Sequence, residues 1–210
     1  MGDTAVVRKP HRLPAAERFE QLLDVAEEQF MVKGYDRTSI EDIARAAGVS
    51  RPIVYQHHGS KEGVYLACVA RARRVLLDEY ATAIADVHEP REVLRAAAGA
   101  WFSIVDRDPN RWALLYGGSA IPMTGDLGRR LTEERSRNLG YYVQAVQSWT
   151  RPDVPADHVA ALAHLIAGVG DQLARWWLMN RHLSREQIVD YYCEFCWNGL
   201  RPLLASPEHA

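Results

Sequence analysis

Arg51, Gln56 and Lys61 stand in a stretch, Ile43 to Lys61, that holds no Asp or Glu in nineteen consecutive residues, although the chain carries 27 of them against 25 Lys and Arg. Arg and Gln offer the paired hydrogen-bonding groups that match guanine and adenine edges in a DNA groove. Arg45, His57 and His58 add cationic or proton-bearing groups to the same stretch. A surface cleared of carboxylates and furnished in this way suits an approach to phosphate. Elsewhere, His164, Gly168, Asp171 and Arg175 fall on one helical stripe inside an otherwise apolar run, where Asp171 and Arg175 have the spacing of an ion pair. Cys193 and Cys196 share a helix face but lack a second pair to complete a tetrahedral metal site, so they read as buried small hydrophobes. No nucleophile elbow, phosphate loop or HExxH pattern occurs. Neither a metal nor a cofactor is expected.

Composition limits how far charge can be argued. With 210 residues, 48% hydrophobic and 25% charged, the chain has the make-up of an ordinary globular protein of one large or two small domains. A net charge of -2 excludes bulk basicity, so DNA binding has to rest on local arrangement. Three cysteines make no disulfide framework. The longest apolar run, Val159 to Gly170, contains His164 and is shorter than the roughly 20 residues that span a bilayer. A cytoplasmic protein with no membrane partner is expected.

The elements that must position these groups are helical throughout. Phe19, Leu22, Leu23, Ala26 and Phe30 recur on one helical face, and the pattern stops at Gly34. Pro90, Pro109, Pro122, Pro152 and Pro155 fall between periodic stretches and mark boundaries, and no run alternates with period two. The expectation is an all-α chain in three parts: a flexible basic arm over 1–12 with Arg8, Lys9, His11 and Arg12, a DNA-binding domain over 13–65, and a larger ligand-binding and dimerisation domain over 66–206.

Around the carboxylate-free stretch the local signals are dense. Just before it, Ser39 caps a short helix whose third position, Asp42, reaches back in a capping box. That helix ends near Ala46 or Ala47, and Gly48 frees the backbone for a tight turn. Ser50 then caps a second short helix whose first turn accepts Pro52. Ile43, Ala44, Val49 and Val54 remain to pack the two helices together, while Arg51, Pro52, Ile53, Gln56 and His57 surround the outward part of the second. Helix, glycine turn and helix make the arrangement that lays its second helix in the DNA major groove.

From Glu17 to Leu66 the chain resembles the TetR family of bacterial transcriptional regulators. The resemblance rests on "ERFEQLLDVAEEQF" and "GYDRTSIEDIARAAGVSRPIVYQHHGSKEGVYL", which keep the family's G-[FY]-x-x-T-[ST], IAxxAGVS, VYxH and SKE in order and spacing. His58 departs from it, standing where the family usually has Phe. The resemblance implies that Thr38, Tyr55 and Lys61 contact phosphate through a hydroxyl, a phenol and an ammonium. Helix N-termini at Ser39 and Ser60 would add oriented N–H groups.

All six tryptophans lie beyond residue 100, together with Tyr116, Tyr141 and Tyr142. They suggest an aromatic cavity for an apolar or aromatic effector, with Trp101, Trp112 and Tyr116 as walls and His164 and Asp171 as polar contacts. The last two helices, about Asp157 to Met179 and Ser184 to Leu204, are too apolar to face water. Ala163, Ala167, Gly170 and Ala174 form a stripe of small residues in one, and Ile188, Tyr192, Phe195 and Leu203 an apolar face in the other. Two such helices from each subunit would build a four-helix homodimer interface, as the resemblance also implies. The function expected is a regulator, a repressor released from a pseudo-palindromic operator by a small molecule; the alternative is a helical carrier or enzyme with an incidental helix-turn-helix.

Overall fold

In the computed structural model, residues 14–116 and 125–204 are described; the basic arm, Pro122 and the last six residues lie outside them. The described residues form α1 (Ala15–Lys33), α2 (Ile40–Ala46), α3 (Arg51–His58), α4 (Lys61–Ile84), α5 (Pro90–Arg107), α6 (Pro109–Tyr116), α7 (Gly125–Trp149), α8 (Ala156–Met179) and α9 (Arg185–Leu200), closed by a 3-10 turn over Arg201–Leu203. No strand occurs among them, apart from an isolated bridge between Thr150 and Leu204. Pro90 and Pro109 begin α5 and α6, where a missing N–H costs no intrahelical bond. Compact packing divides the chain between Tyr65 and Leu66.

In the first unit, Leu22, Leu23, Ala26 and Phe30 of α1 are buried, the face expected from their spacing. The Phe30, Tyr35 and Tyr65 rings meet edge-on or stacked at centroid distances of 5.0 to 5.8 Å. Ile43 and Val54 are fully enclosed and fix α2 against α3.

In the second unit, α5 packs against α6, α8 and α9, and α8 against α7 and α9. Phe102 of α5 is fully buried, edge-on to Trp177 of α8 and Tyr192 of α9. The small-residue stripe of α8 turns inward rather than toward a partner: Ala163, Gly170 and Ala174 are buried, and a Cβ added at Gly170 would stand 3.4 Å from Trp101 and Tyr192. The face left outside is a different one. Leu165, Gly168, Gln172, Trp176 and Met179 are exposed at helical spacing, Leu165 at 62%, and Phe195 of α9 is 67% exposed although its spacing puts it on the same face as the buried Ile188 and Tyr192.

Candidate nucleic-acid interface and effector region

The helix-turn-helix is built from local chemistry. The Ser39 hydroxyl accepts the Asp42 N–H at 3.1 Å, and the Asp42 carboxylate accepts the Ser39 N–H at 3.0 Å. Lys33 lies 2.8 Å from the same carboxylate and, with the Ser39 bonds, holds it well below the usual carboxylate range. Gly48 takes φ 66°, a left-handed conformation that turns the chain from α2 into α3. Ser50 stands at the N-cap of α3 in extended conformation, but its side chain makes no capping bond; Pro52 fills the first turn as expected.

With Val54 inward, Arg51, Pro52, Tyr55 and Gln56 are exposed and Ile53 and His57 half-buried. Tyr55 is 51% exposed, so its phenol is free to reach outward. Arg51 is not bare: Glu41 of α2 lies 3.2 Å from its guanidinium and also pairs with Arg45. The stretch cleared of carboxylates in sequence is therefore not cleared in space. Lys61 is steered by the Asp36 carbonyl at 3.2 Å and the Tyr35 ring at 4.3 Å.

Three assignments change. Thr38 is 2% exposed, and its hydroxyl donates to the carbonyls of Gln29 and Gly34, so it anchors the α1–α2 turn instead of offering a hydroxyl outward. The α2 N-terminus at Ser39 is already covered by the Asp42 carboxylate, which weakens it as an anion site. His58 behaves as the aromatic it replaces: its ring lies 4.5 Å from Phe19, with Nε2 buried and without a hydrogen-bond partner. Burial, and then His57, lower its pKa from the ordinary value, favouring the neutral imidazole.

Sequence reasoning missed Gly63. A Cβ there would stand 2.0 Å from the His58 carbonyl oxygen, so α4 can begin beside the end of α3 only with glycine. The Ser60 hydroxyl accepts the Gly63 N–H at 3.0 Å and caps α4.

In the second unit Trp101 and Trp112 are buried and Tyr116 half-buried, with Trp101 edge-on to Tyr116 at 4.8 Å. His164 is exposed and separated in character from this interior, whereas Asp171 is half-buried and acts on the Tyr142 phenol. Arg175 donates to the Tyr116 carbonyl and lies 5.3 Å over the Trp112 ring. The Tyr80 and Tyr142 hydroxyls meet at 2.5 Å; burial pushes Tyr142 up to about 12 and Tyr80 well above its ordinary value. Nothing local marks that pair, whose members are 62 residues apart. Burial also raises Cys193 to about 11 and Cys196 to about 12, so neither is a thiolate at neutral pH. Among the described residues no group of three or more His, Cys, Asp and Glu is placed to hold a metal, and no helix is long and apolar enough to cross a membrane.

A recognition helix presented by a capped, glycine-turned neighbour, followed by a larger helical unit, defines a DNA-binding transcriptional regulator. The family described as "Bacterial regulatory proteins, tetR family" matches residues 22–68. The chain is 30% identical over 196 residues to the HTH-type transcriptional activator FasR of Mycolicibacterium smegmatis, covering 92% of this chain and 87% of that protein. It belongs to the TetR family. A TetR-like regulator from Rhodococcus sp. RHA1 superposes with a TM-score of 0.72 at 26% identity, over 90% of this chain and 99% of that one. FadR from Bacillus subtilis, solved in complex with stearoyl-CoA, gives a TM-score of 0.72 at 18% identity over 85% and 97% of the two chains, a likeness of fold.

Proposed function

We propose that this regulator is a homodimeric repressor that reads a pseudo-palindromic operator with α3 and leaves it when an apolar or aromatic small molecule binds the second unit. The observation that carries the DNA side is the outward face of α3, where Arg51, Tyr55 and Gln56 are exposed around the enclosed Val54. Arg51 and Gln56 read base edges; Pro52, Ile53 and His57 border them; Tyr55 and Lys61 contact phosphate, as does the Ser50 hydroxyl, which makes no capping bond of its own. An operator on the chromosome sets the protein in the cytoplasm.

Dimerisation is assigned to α8 and α9. The exposed Leu165, Trp176, Met179, Tyr191 and Phe195 make an apolar surface that a second copy covers by two-fold symmetry. For the effector, the aromatic interior around Trp101, Trp112 and Tyr116 favours an apolar body, and the stearoyl-CoA bound by the Bacillus subtilis FadR has an acyl chain of that character. A ligand that prefers the DNA-free state with a typical coupling of about 1–3 kcal/mol lowers operator affinity about 5- to 150-fold.

The test is operator binding by the full chain across salt concentrations, with sedimentation alongside. A steep salt dependence and a dimer on one palindromic site are expected. A monomer that binds a half-site tightly, or retention on DNA indifferent to salt, overturns the reading.

A further inference from the structure

The second unit holds a buried donor without an acceptor. Trp112 of α6 is 4% exposed, and its Nε1 is enclosed with no hydrogen-bond partner. A buried indole N–H ordinarily finds an acceptor, because leaving one unmade forfeits the hydration it had in water. Beside it, the Arg175 guanidinium lies 5.3 Å from the centroid of the same ring. Among the described residues it donates to the Tyr116 carbonyl, using one of the five N–H donors of a guanidinium. The neighbouring Trp101 Nε1 reaches the Gly170 carbonyl only at 3.5 Å, the far limit of a hydrogen bond. An unpaired indole donor and a guanidinium thus lie together among the Trp101, Trp112 and Tyr116 rings.

We propose that the Trp112 indole N–H and Arg175 form the polar anchor of the effector site, holding the oxygen head of an apolar carboxylic acid or of its thioester. The assignment rests on the effector reading above and adds to it the head-group chemistry and the two residues that recognise it. A carboxylate or carbonyl oxygen supplies the missing acceptor for the indole, and the guanidinium supplies its charge complement; the aromatic rings take the apolar body. A cationic head finds no acceptor at Nε1 and meets Arg175 with like charge. Asp171, one turn earlier on α8, acts on the Tyr142 phenol.

Calorimetric titration of the full chain with octanoate, octanoyl-coenzyme A and octylammonium tests this. Wild type is expected to bind octanoate or the thioester and to bind octylammonium less tightly, the two acyl arms telling free acid from thioester. Trp112→Phe, which keeps an aromatic ring and removes the N–H, is expected to bind the preferred acyl probe about tenfold more weakly, the loss of one hydrogen bond to a charged or strongly polar oxygen. Its melting temperature without ligand is expected to fall, because the smaller ring leaves a cavity at a buried position, so affinity for the probe and not stability reads the anchor. Arg175→Lys and Arg175→Met are expected to weaken binding in that order. If wild type binds an acyl probe and Trp112→Phe and Arg175→Met bind it equally well, the anchor is overturned while the effector reading stands. If wild type binds none of the three, the two fall together.

Discussion

Replacing Gly63 with Ala probes the join between recognition helix and α4 with a single carbon atom. The added Cβ would stand 2.0 Å from the His58 carbonyl oxygen and 3.2 Å from its carbon, and separations under 3.0 Å require something to shift. The obstacle is backbone, not the end of a flexible side chain, and that oxygen also accepts the Ser60 N–H at 2.8 Å. The contact must therefore open from 2.0 to at least 3.0 Å, displacing the last turn of α3 or the first of α4. Overpacking of this kind costs about 1–3 kcal/mol, against a helix-propensity gain of roughly 0.5–1 kcal/mol for Gly to Ala, so the clash wins. At roughly 2–4 °C per kcal/mol for a chain of this size, thermal denaturation should show a loss of a few degrees, and operator affinity should fall with it because α3 is moved. Gly140→Ala is the control: that glycine is helical and exposed, nothing lies within 4 Å of its added Cβ, and a small gain in stability is expected. A Gly63→Ala protein as stable as wild type, with unchanged operator affinity, would refute the close approach.

Other perturbations separate the roles assigned above. Lys61→Ala should weaken binding to every sequence and lower the salt slope by about one unit, whereas Gln56→Ala should cost roughly 1–3 kcal/mol on the preferred operator alone; equal losses on all sequences would remove Gln56 from base reading. His58 has a lowered pKa in the fold, so its contribution is present above the ordinary value of 6.5 and is lost as pH falls through that value toward the lowered one. His58→Phe should therefore flatten the stability curve as pH falls below 6.5, and an unchanged curve counts against the buried imidazole. Leu165→Asp and Phe195→Asp place charge on the exposed α8–α9 face and should shift the sedimenting species to monomer with loss of operator affinity; a dimer that persists in the double variant puts the interface elsewhere.

Much of the helix-turn-helix was legible because its signals are local. The Ser39–Asp42 box, the Gly48 turn, Pro52 and the buried spacing of Ile43 and Val54 are each set within a few residues of sequence. What escaped depends on residues brought together through space. Glu41 reaches Arg51 across the turn, Thr38 turns its hydroxyl back to Gln29, and Gly63 matters because of the His58 carbonyl. The second unit was less readable still. Small residues on α8 promised close approach without saying to what, and at Gly170 it is Trp101 and Tyr192 of the same chain that approach. Helical periodicity identifies that a face is apolar; it does not say whether the same subunit or another covers it.

The shortness of α2 and α3 has a consequence for how the DNA-reading surface opens. At seven and eight residues they are well below the roughly 12–15 at which a helix holds by itself in water, so they exist by virtue of the side chains locked between them and α1. Backbone amides in the two helices should then exchange with solvent deuterium at a common rate, together with those of Leu22 to Phe30, through one cooperative opening. The reading head is present whole or not at all, and its loss removes the turn, the caps and the recognition helix in a single step.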